Sequence, residues 1–243
     1  MASADPPLYA YAVVRGDASP PARHGVLDAP VATVSDGDVA VLVSRLKNDR
    51  VRAKRRDLLA HSDVLQEAHG NGVVLPLRFG MLFDSEDQLR ERLIGPRRDE
   101  LLSLLDEFDG VAEMRVGATY HDQESVLADV LQDAPEIVRL REHARSQSDL
   151  VRLGELVAKR FEHRRAIDAE TILSRLGSHA QGTHVDERDD ELMVVKASFL
   201  VRDRTRKTFD GELDAVALRL RHLINFTCTG PLPPHSFVSL GES

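Results

Sequence analysis

Val111-Ala112-Glu113-Met114-Arg115-Val116-Gly117-Ala118-Thr119-Tyr120 is the stretch on which the fold turns. Ala112, Met114, Val116, Ala118 and Tyr120 make one wholly apolar face, and Val111, Glu113, Arg115, Gly117 and Thr119 make the other. A period of two with one apolar side marks a strand that packs a single face on a core. Residues 192–201 repeat the device with Met193, Val195, Ala197, Phe199 and Val201. Helical patterns fill 123–131, 135–143 and 148–180 between them; in the last, Leu150, Leu153, Val157 and Phe161 fall on one helical face and predict its buried stripe. Gly182 opens a short extended segment, and Asp189-Asp190 is turn-like. Asp210 is the predicted N-cap of a helix with Leu213, Val216, Ala217, Leu220 and Leu223 inward. Residues 224–228 form the last strand. The order is strand, helices, strand, strand, helix, strand, which is the split βαβ, ferredoxin-like order. The first crossover is roughly twice the length such a unit needs, so extra helices are inserted there.

Working back towards the N-terminus, residues 8–14 and 39–43 read as strands. Residues 49–68 read as a helix with Leu58, Leu65 and Ala68 on its packed side, stopped by Gly70-Asn71-Gly72. Val73-Val74-Leu75-Pro76-Leu77 follows as a strand; Pro76 cannot donate to a ladder, so this strand lies at an edge or carries a bulge. Helical pattern returns at 85–93, breaks at Gly95-Pro96, and resumes at 98–108. The expectation is an α+β chain of two domains. Residues 1–105 form an N-terminal α+β domain, 106–229 a modified ferredoxin-like domain with extra helices, and 230–243 a Pro-rich tail.

The 243 residues, 42% hydrophobic and 30% charged, have a globular balance. The formal net charge of −8 repels a phosphate backbone, so no nucleic acid partner is expected. Cys228 stands alone, which excludes an internal disulfide and a cysteine-rich zinc site; its segment reads as a buried or half-buried strand. No apolar run is long enough for a bilayer and no basic-then-apolar leader opens the chain. A soluble, cytoplasmic protein is expected. Among the histidines, His61 and His69 flank Glu67 without a His-Glu-x-x-His spacing, and His179 and His184 lie near Asp186. Zinc needs three or four convergent ligands, so these read as surface histidines. There is no nucleophile elbow, P-loop or Gly-x-Gly-x-x-Gly, so neither catalysis nor a cofactor is expected. The basic run Arg50, Arg52, Lys54, Arg55, Arg56 and the segment Glu162-His163-Arg164-Arg165 read as solvated helix faces.

Two stretches are unusual. One is Val74-Leu75-Pro76-Leu77-Arg78-Phe79-Gly80-Met81-Leu82-Phe83, preceded by His61 and Val64-Leu65-Gln66-Glu67. The other is Gly230-Pro231-Leu232-Pro233-Pro234-His235-Ser236-Phe237-Val238. Both resemble the hallmark "VLPLRFGTVF" and "GPWPPYSFV" segments of the GvpF/GvpL family of gas vesicle accessory proteins. Lesser matches sit at 40–45, 111–116 and 197–201. The chain departs from the pattern at Met81-Leu82, where Thr-Val is usual, and at Leu232 and His235, where Trp and Tyr are usual. The resemblance implies a two-domain α+β protein that helps build the gas vesicle as nucleator, chaperone or minor shell component. Its partners would be the small, very hydrophobic shell subunit and other gas vesicle proteins, with no catalytic residue and no membrane.

The residues suggest how such a partner would be held. The open face of the second sheet is expected to carry Glu113 and Arg115 on one strand and Leu192, Val194, Lys196, Ser198 and Leu200 on the other, a mixture suited to a non-obligate interface. Strand addition at a sheet edge is the alternative. Arg78 and Phe79 are further candidates for partner contact, Gly80 for a backbone turn, and Phe237 with Val238 for pinning the tail. A small-molecule-binding regulatory module is the rival reading.

Overall fold

The structure is a computed structural model, and it describes residues 6–47, 51–132, 135–143 and 145–240. Asn48, Asp49 and Arg50, the start of the expected basic helix, lie outside the described residues. The chain divides into two compact units. One holds the chain up to Glu113 together with Pro231 onward; the other runs from Met114 to Gly230.

In the first unit, β1 (Leu8–Arg15) is buried along seven residues, a continuous apolar run that only a central strand carries. β2 (Ala32–Asp36), β3 (Val39–Arg45), α1 (Arg55–Asn71), β4 (Leu75–Pro76) and β5 (Leu82–Phe83) follow. The sheet order is β2-β3-β1-β4, with β5 also on β1, all antiparallel. Register slips between Ala10 and Ala12, which leaves Tyr11 as the extra residue of a bulge. The slip reverses the parity of the strand. Tyr9 and Tyr11 before it, and Ala12 and Val14 after it, therefore all join one core with Ala40, Leu42, Val64, Leu65 and Ala68. The other side of the unit is covered by α2 (Glu86–Leu89), a single π turn (Arg90–Ile94), a 3-10 turn across Gly95–Arg97 and α3 (Arg98–Glu107), which packs on β1 and β3 through buried Leu101 and Leu105. Pro76 does sit on an edge strand, where a missing N–H is harmless.

Three expectations need correction, and one strand went unread. β2 carried no readable signal, because only Val34 of its five residues is buried. Leu58 is 43% exposed, since the packed side of α1 runs through Asp57, His61, Val64, Leu65 and Ala68 instead. His61 is buried and not a surface histidine. Cys228 is exposed, because its strand lies at a sheet edge.

The second unit is built from most of β6 (Val111–Tyr120), then α4 (Gln123–Gln132), α5 (Pro135–His143), α6 (Gln147–Gly177), β7 (Gly182–Val185), β8 (Met193–Arg202), α7 (Arg206–Leu220) and most of β9 (Ile224–Leu232). The sheet order is β7-β8-β6-β9, and β7 pairs antiparallel with β8. The alternation of β6 and β8 is met in the core: Met114, Val116, Ala118 and Tyr120 share it with Val195, Ala197, Phe199 and Val201. α6 and α7 pack against β8. A capping box between Ser146 and Asp149 starts α6.

The buried stripe of α6 begins where the expected one ended. Phe161, Arg165, Asp168, Ile172 and Leu176 are buried, whereas Leu150 is 54% exposed and Leu153 and Val157 are half-buried. The helix is longer than the sheet it covers, and Gly154, Val157 and Phe161 line an open cleft of about 500 Å³. α7 starts five residues earlier than expected, with Thr205 at its N-cap, so Asp210 lies inside the helix. Glu113, Val194, Ser198 and Leu200 were expected on an open sheet face and are all buried. Val194 belongs to the core, and apolar side chains of β8 are buried on both faces of the strand.

Asp168 accepts hydrogen bonds from the Tyr120 hydroxyl at 2.8 Å and from Arg164 Nε at 2.9 Å, while Arg164 also pairs with Asp129. Burial and that neighbouring carboxylate hold the Tyr120 phenol well above its usual range. Asp168→Ala is expected to destabilise the protein by about 3–5 kcal/mol, because it strands a buried donor and a half-buried cation. Urea denaturation followed by circular dichroism measures this.

Candidate functional site

Both unusual stretches fall in the first unit, and the structure shows what each does there. The first pairs with β1 at its two ends: Val13↔Leu75 and Ala12↔Pro76 on one side, Tyr9↔Leu82 and Leu8↔Phe83 on the other. The intervening residues arch outward. The arch is clamped at its feet by Leu77 N–H donating to Tyr11 C=O at 2.8 Å and Ala10 N–H donating to Met81 C=O at 3.0 Å. The Tyr11 bulge is what turns that carbonyl towards Leu77. At the tip, Arg78 is exposed, Phe79 is half-buried and Gly80 takes φ +92°, a left-handed conformation that favours glycine.

An aromatic base holds the tip from below. Phe79 lies edge-on to Tyr9 at 5.8 Å and to His61 at 5.6 Å, and Tyr11 stacks on His61 at 5.5 Å. Hydrogen bonds order the same residues. Gly80 N–H donates to the Tyr9 hydroxyl at 3.2 Å, and that hydroxyl shares a hydrogen bond with His61 Nδ1 at 2.8 Å. His61 in turn hydrogen-bonds the Leu77 backbone carbonyl. Donors and acceptors balance only for a neutral imidazole protonated at Nε2. Burial, then the nearby His235, lower the His61 pKa from 6.5 to about 4, against the opposing pull of the Leu77 carbonyl. Tyr11 anchors a second segment: its hydroxyl accepts from Val26 N–H at 2.8 Å and meets Ser44 Oγ at 2.9 Å, and Ser44 donates to Pro30 C=O at 2.9 Å. Gly25 is required there, because a Cβ would stand 1.9 Å from the Tyr11 oxygen.

The second stretch docks on this unit. Gln66 Nε2 donates to Pro231 C=O at 2.8 Å, and Pro233, Pro234, Val238 and Leu240 are buried. Ser236 donates its N–H to Glu113 Oε2 at 2.7 Å and its hydroxyl to Oε1 at 2.9 Å. A carboxylate as deeply buried as that of Glu113 persists only with such donors. Glu113, expected to meet a partner, is thus an anchor for the chain's own tail.

Of the sequence candidates, the structure brings Arg78 and Phe79 together at the arch and puts Glu113 under the tail. Arg115 is exposed on β6 in the second unit, and Val194 and Leu200 are interior there. Sequence reasoning missed Tyr9, Tyr11, Ser44 and Ser236; an apolar strand with two tyrosines was the only available signal for the first pair. Among the described residues no group of three or more His, Cys, Asp or Glu is placed to hold a metal ion, and no helix is long and apolar enough to cross a membrane.

Stability linked to His61 follows from its depressed pKa. The unfolded imidazole binds a proton more readily than the folded one, so this contribution is complete above about pH 6.5 and is lost as pH falls towards 4. The loss is on the order of 2–3 kcal/mol, and His61→Gln should flatten that part of the acid limb in parallel urea titrations. Glu113→Ala should free the tail at a cost of about 1–3 kcal/mol. Limited proteolysis would then cut after residue 230 first; a tail as resistant as before would refute the anchor.

Residues 7–239 match the family described as gas vesicle synthesis protein GvpL/GvpF. A gas vesicle protein F from a Streptomyces species is 35% identical over 240 residues, covering 95% of this chain and 98% of the relative. One from Dolichospermum flosaquae is 25% identical, covering 96% and 98%. The crystal structure of the gas vesicle protein GvpF from an Anabaena species superposes with TM-score 0.79 at 19% identity, covering 97% of each chain. That of GvpF from Microcystis aeruginosa gives 0.79 at 20% identity, covering 97% of this chain and 100% of the other.

Proposed function

Because the chain belongs to the gas vesicle synthesis protein GvpL/GvpF family, we propose that it serves gas vesicle formation as a non-catalytic accessory protein that binds the hydrophobic shell subunit at the arch 77–81. The observation that carries this reading is the construction of the arch. An exposed Arg78 and a half-buried Phe79 stand on a base of three interlocked rings and four hydrogen bonds or clamps. A side chain whose backbone is already ordered loses little entropy on meeting a partner, which is how a small surface gains affinity. Arginine beside an aromatic is also the pairing that dominates interface energetics. We read the second unit as a modified ferredoxin-like (split βαβ) sheet with extra helices, supported by its element order and by the strand order β7-β8-β6-β9. In this reading the protein associates with the growing vesicle and makes or breaks no bond.

The test is capture of purified shell subunit by this chain. Arg78→Glu combined with Phe79→Ser is expected to weaken capture at least tenfold, with Arg78→Glu alone giving part of that loss. Arg78 is exposed, so the single variant keeps the fold, and its melting temperature checks that. Capture by folded Arg78→Glu protein at the unaltered level would remove the arch from the interface.

A further inference from the structure

Each sheet ends in strands that offer a row of unpaired main-chain groups to any passing chain, and folded proteins blunt such edges with charge, proline or brevity. Among the described residues, three of the four edges are blunted. β4 and β5 are two residues each, and β4 carries Pro76. β2 ends at Asp36, whose carboxylate and carbonyl are both held by Arg98 at 2.5 and 2.7 Å. β7 is four residues long and runs into Asp186-Glu187-Arg188-Asp189-Asp190-Glu191. β9 differs in length and in charge, its one proline being Pro231 beside its last residue. It has nine residues, Ile-Asn-Phe-Thr-Cys-Thr-Gly-Pro-Leu, with no charge among them, and Asn225, Thr227, Cys228, Thr229, Gly230 and Pro231 are exposed.

We propose that β9 is a self-association edge: two copies of this chain pair their β9 strands antiparallel across a two-fold axis, making one continuous sheet from two. The chemistry of the strand selects a second copy as the occupant. Two-fold pairing sets a strand against its own reversed sequence, so any charge near the axis meets a like charge; β9 has none to meet. A residue in an antiparallel strand turns its N–H and its C=O to the same side, so opposed residues share parity and one residue must face its own copy. Full overlap of residues 224–232 makes that residue Cys228. The same register opposes Ile224 to Leu232, Phe226 to Gly230 and Thr227 to Thr229. These are an apolar pair, an aromatic laid over a glycine and a threonine pair, each a favourable cross-strand combination. β-branched and aromatic residues at 224, 226, 227 and 229 suit the extended conformation.

The register makes the proposal testable by covalent trapping. Directly opposed residues have Cα atoms about 4.5–5.5 Å apart, within the range a disulfide spans, whereas positions offset by two residues lie about 7–8 Å apart and outside it. The full chain at rising concentration is expected to approach twice its 27.0 kDa mass in sedimentation equilibrium. Mild oxidation should then link the dimer through Cys228. A Cys228→Ser, Thr227→Cys double variant should dimerise but link at least tenfold more slowly, because residue 227 faces 229. Thr229→Lys, at an exposed position, should return the protein to a folded monomer. A chain that stays monomeric at every concentration, a dimer indifferent to Thr229→Lys, or equal linking from positions 227 and 228 would each overturn the proposal.

Discussion

The extra residue at Tyr11 is the constraint on which the first unit depends. A strand with strict alternation would send Tyr9 and Tyr11 to one face and Ala12 and Val14 to the other. With the slip, both tyrosines and the residues after them face α1, and the Tyr11 carbonyl is turned outward to Leu77. One backbone irregularity thereby supplies the hydroxyl that orders residues 26–30, the ring that stacks on His61 and the clamp at the foot of the arch. Bulges re-aim side chains where a regular ladder cannot, and this one re-aims a whole half-strand.

The two family stretches, separated by nearly 150 residues (from Phe83 to Gly230), do related physical work. The first threads along β1 and arches; the second lies down on the same unit through Pro231, Ser236, Val238 and Leu240. Their polar contacts are of the costly kind. A neutral buried histidine between a tyrosine and a carbonyl, and a buried glutamate fed by a serine, are tolerable only when every partner is present. Such groups specify one arrangement more than they add stability, and here the arrangement they specify is an exposed Arg-Phe-Gly tip on an ordered base. The family's role in gas vesicle formation accords with a protein whose distinctive residues shape a surface.

The second unit directs attention from its faces to its edges. Val194, Ser198 and Leu200 of β8 are buried although Lys196 between them is exposed, so the apolar part of the face that looked open is spent within the fold. The long, uncharged margin formed by β9 stays accessible. Contact with other chains through main-chain hydrogen bonds tolerates variation in side chains, which distinguishes that margin from the arch and its demand for particular residues.

Much of this was legible in the sequence. The alternation in 111–120 and 192–201, the proline at an edge, the glycine turn at 80 and the family stretches could be read directly, because period, backbone freedom and missing donors are properties of local sequence. β2 was not, since a strand with one buried residue has no period to detect. The α6 stripe was displaced by about three turns, because a hydrophobic period says which residues share a face and not how far the covering sheet extends. Glu113 and His61 read as surface groups on polarity alone; their burial was decided by partners 123 and 52 residues away. The sequence alone determined which segments extend, which coil and which family they build. Only the tertiary structure decided which polar groups lie inside, because a buried charge or imidazole is allowed or forbidden by the donors and acceptors that distant segments bring to it.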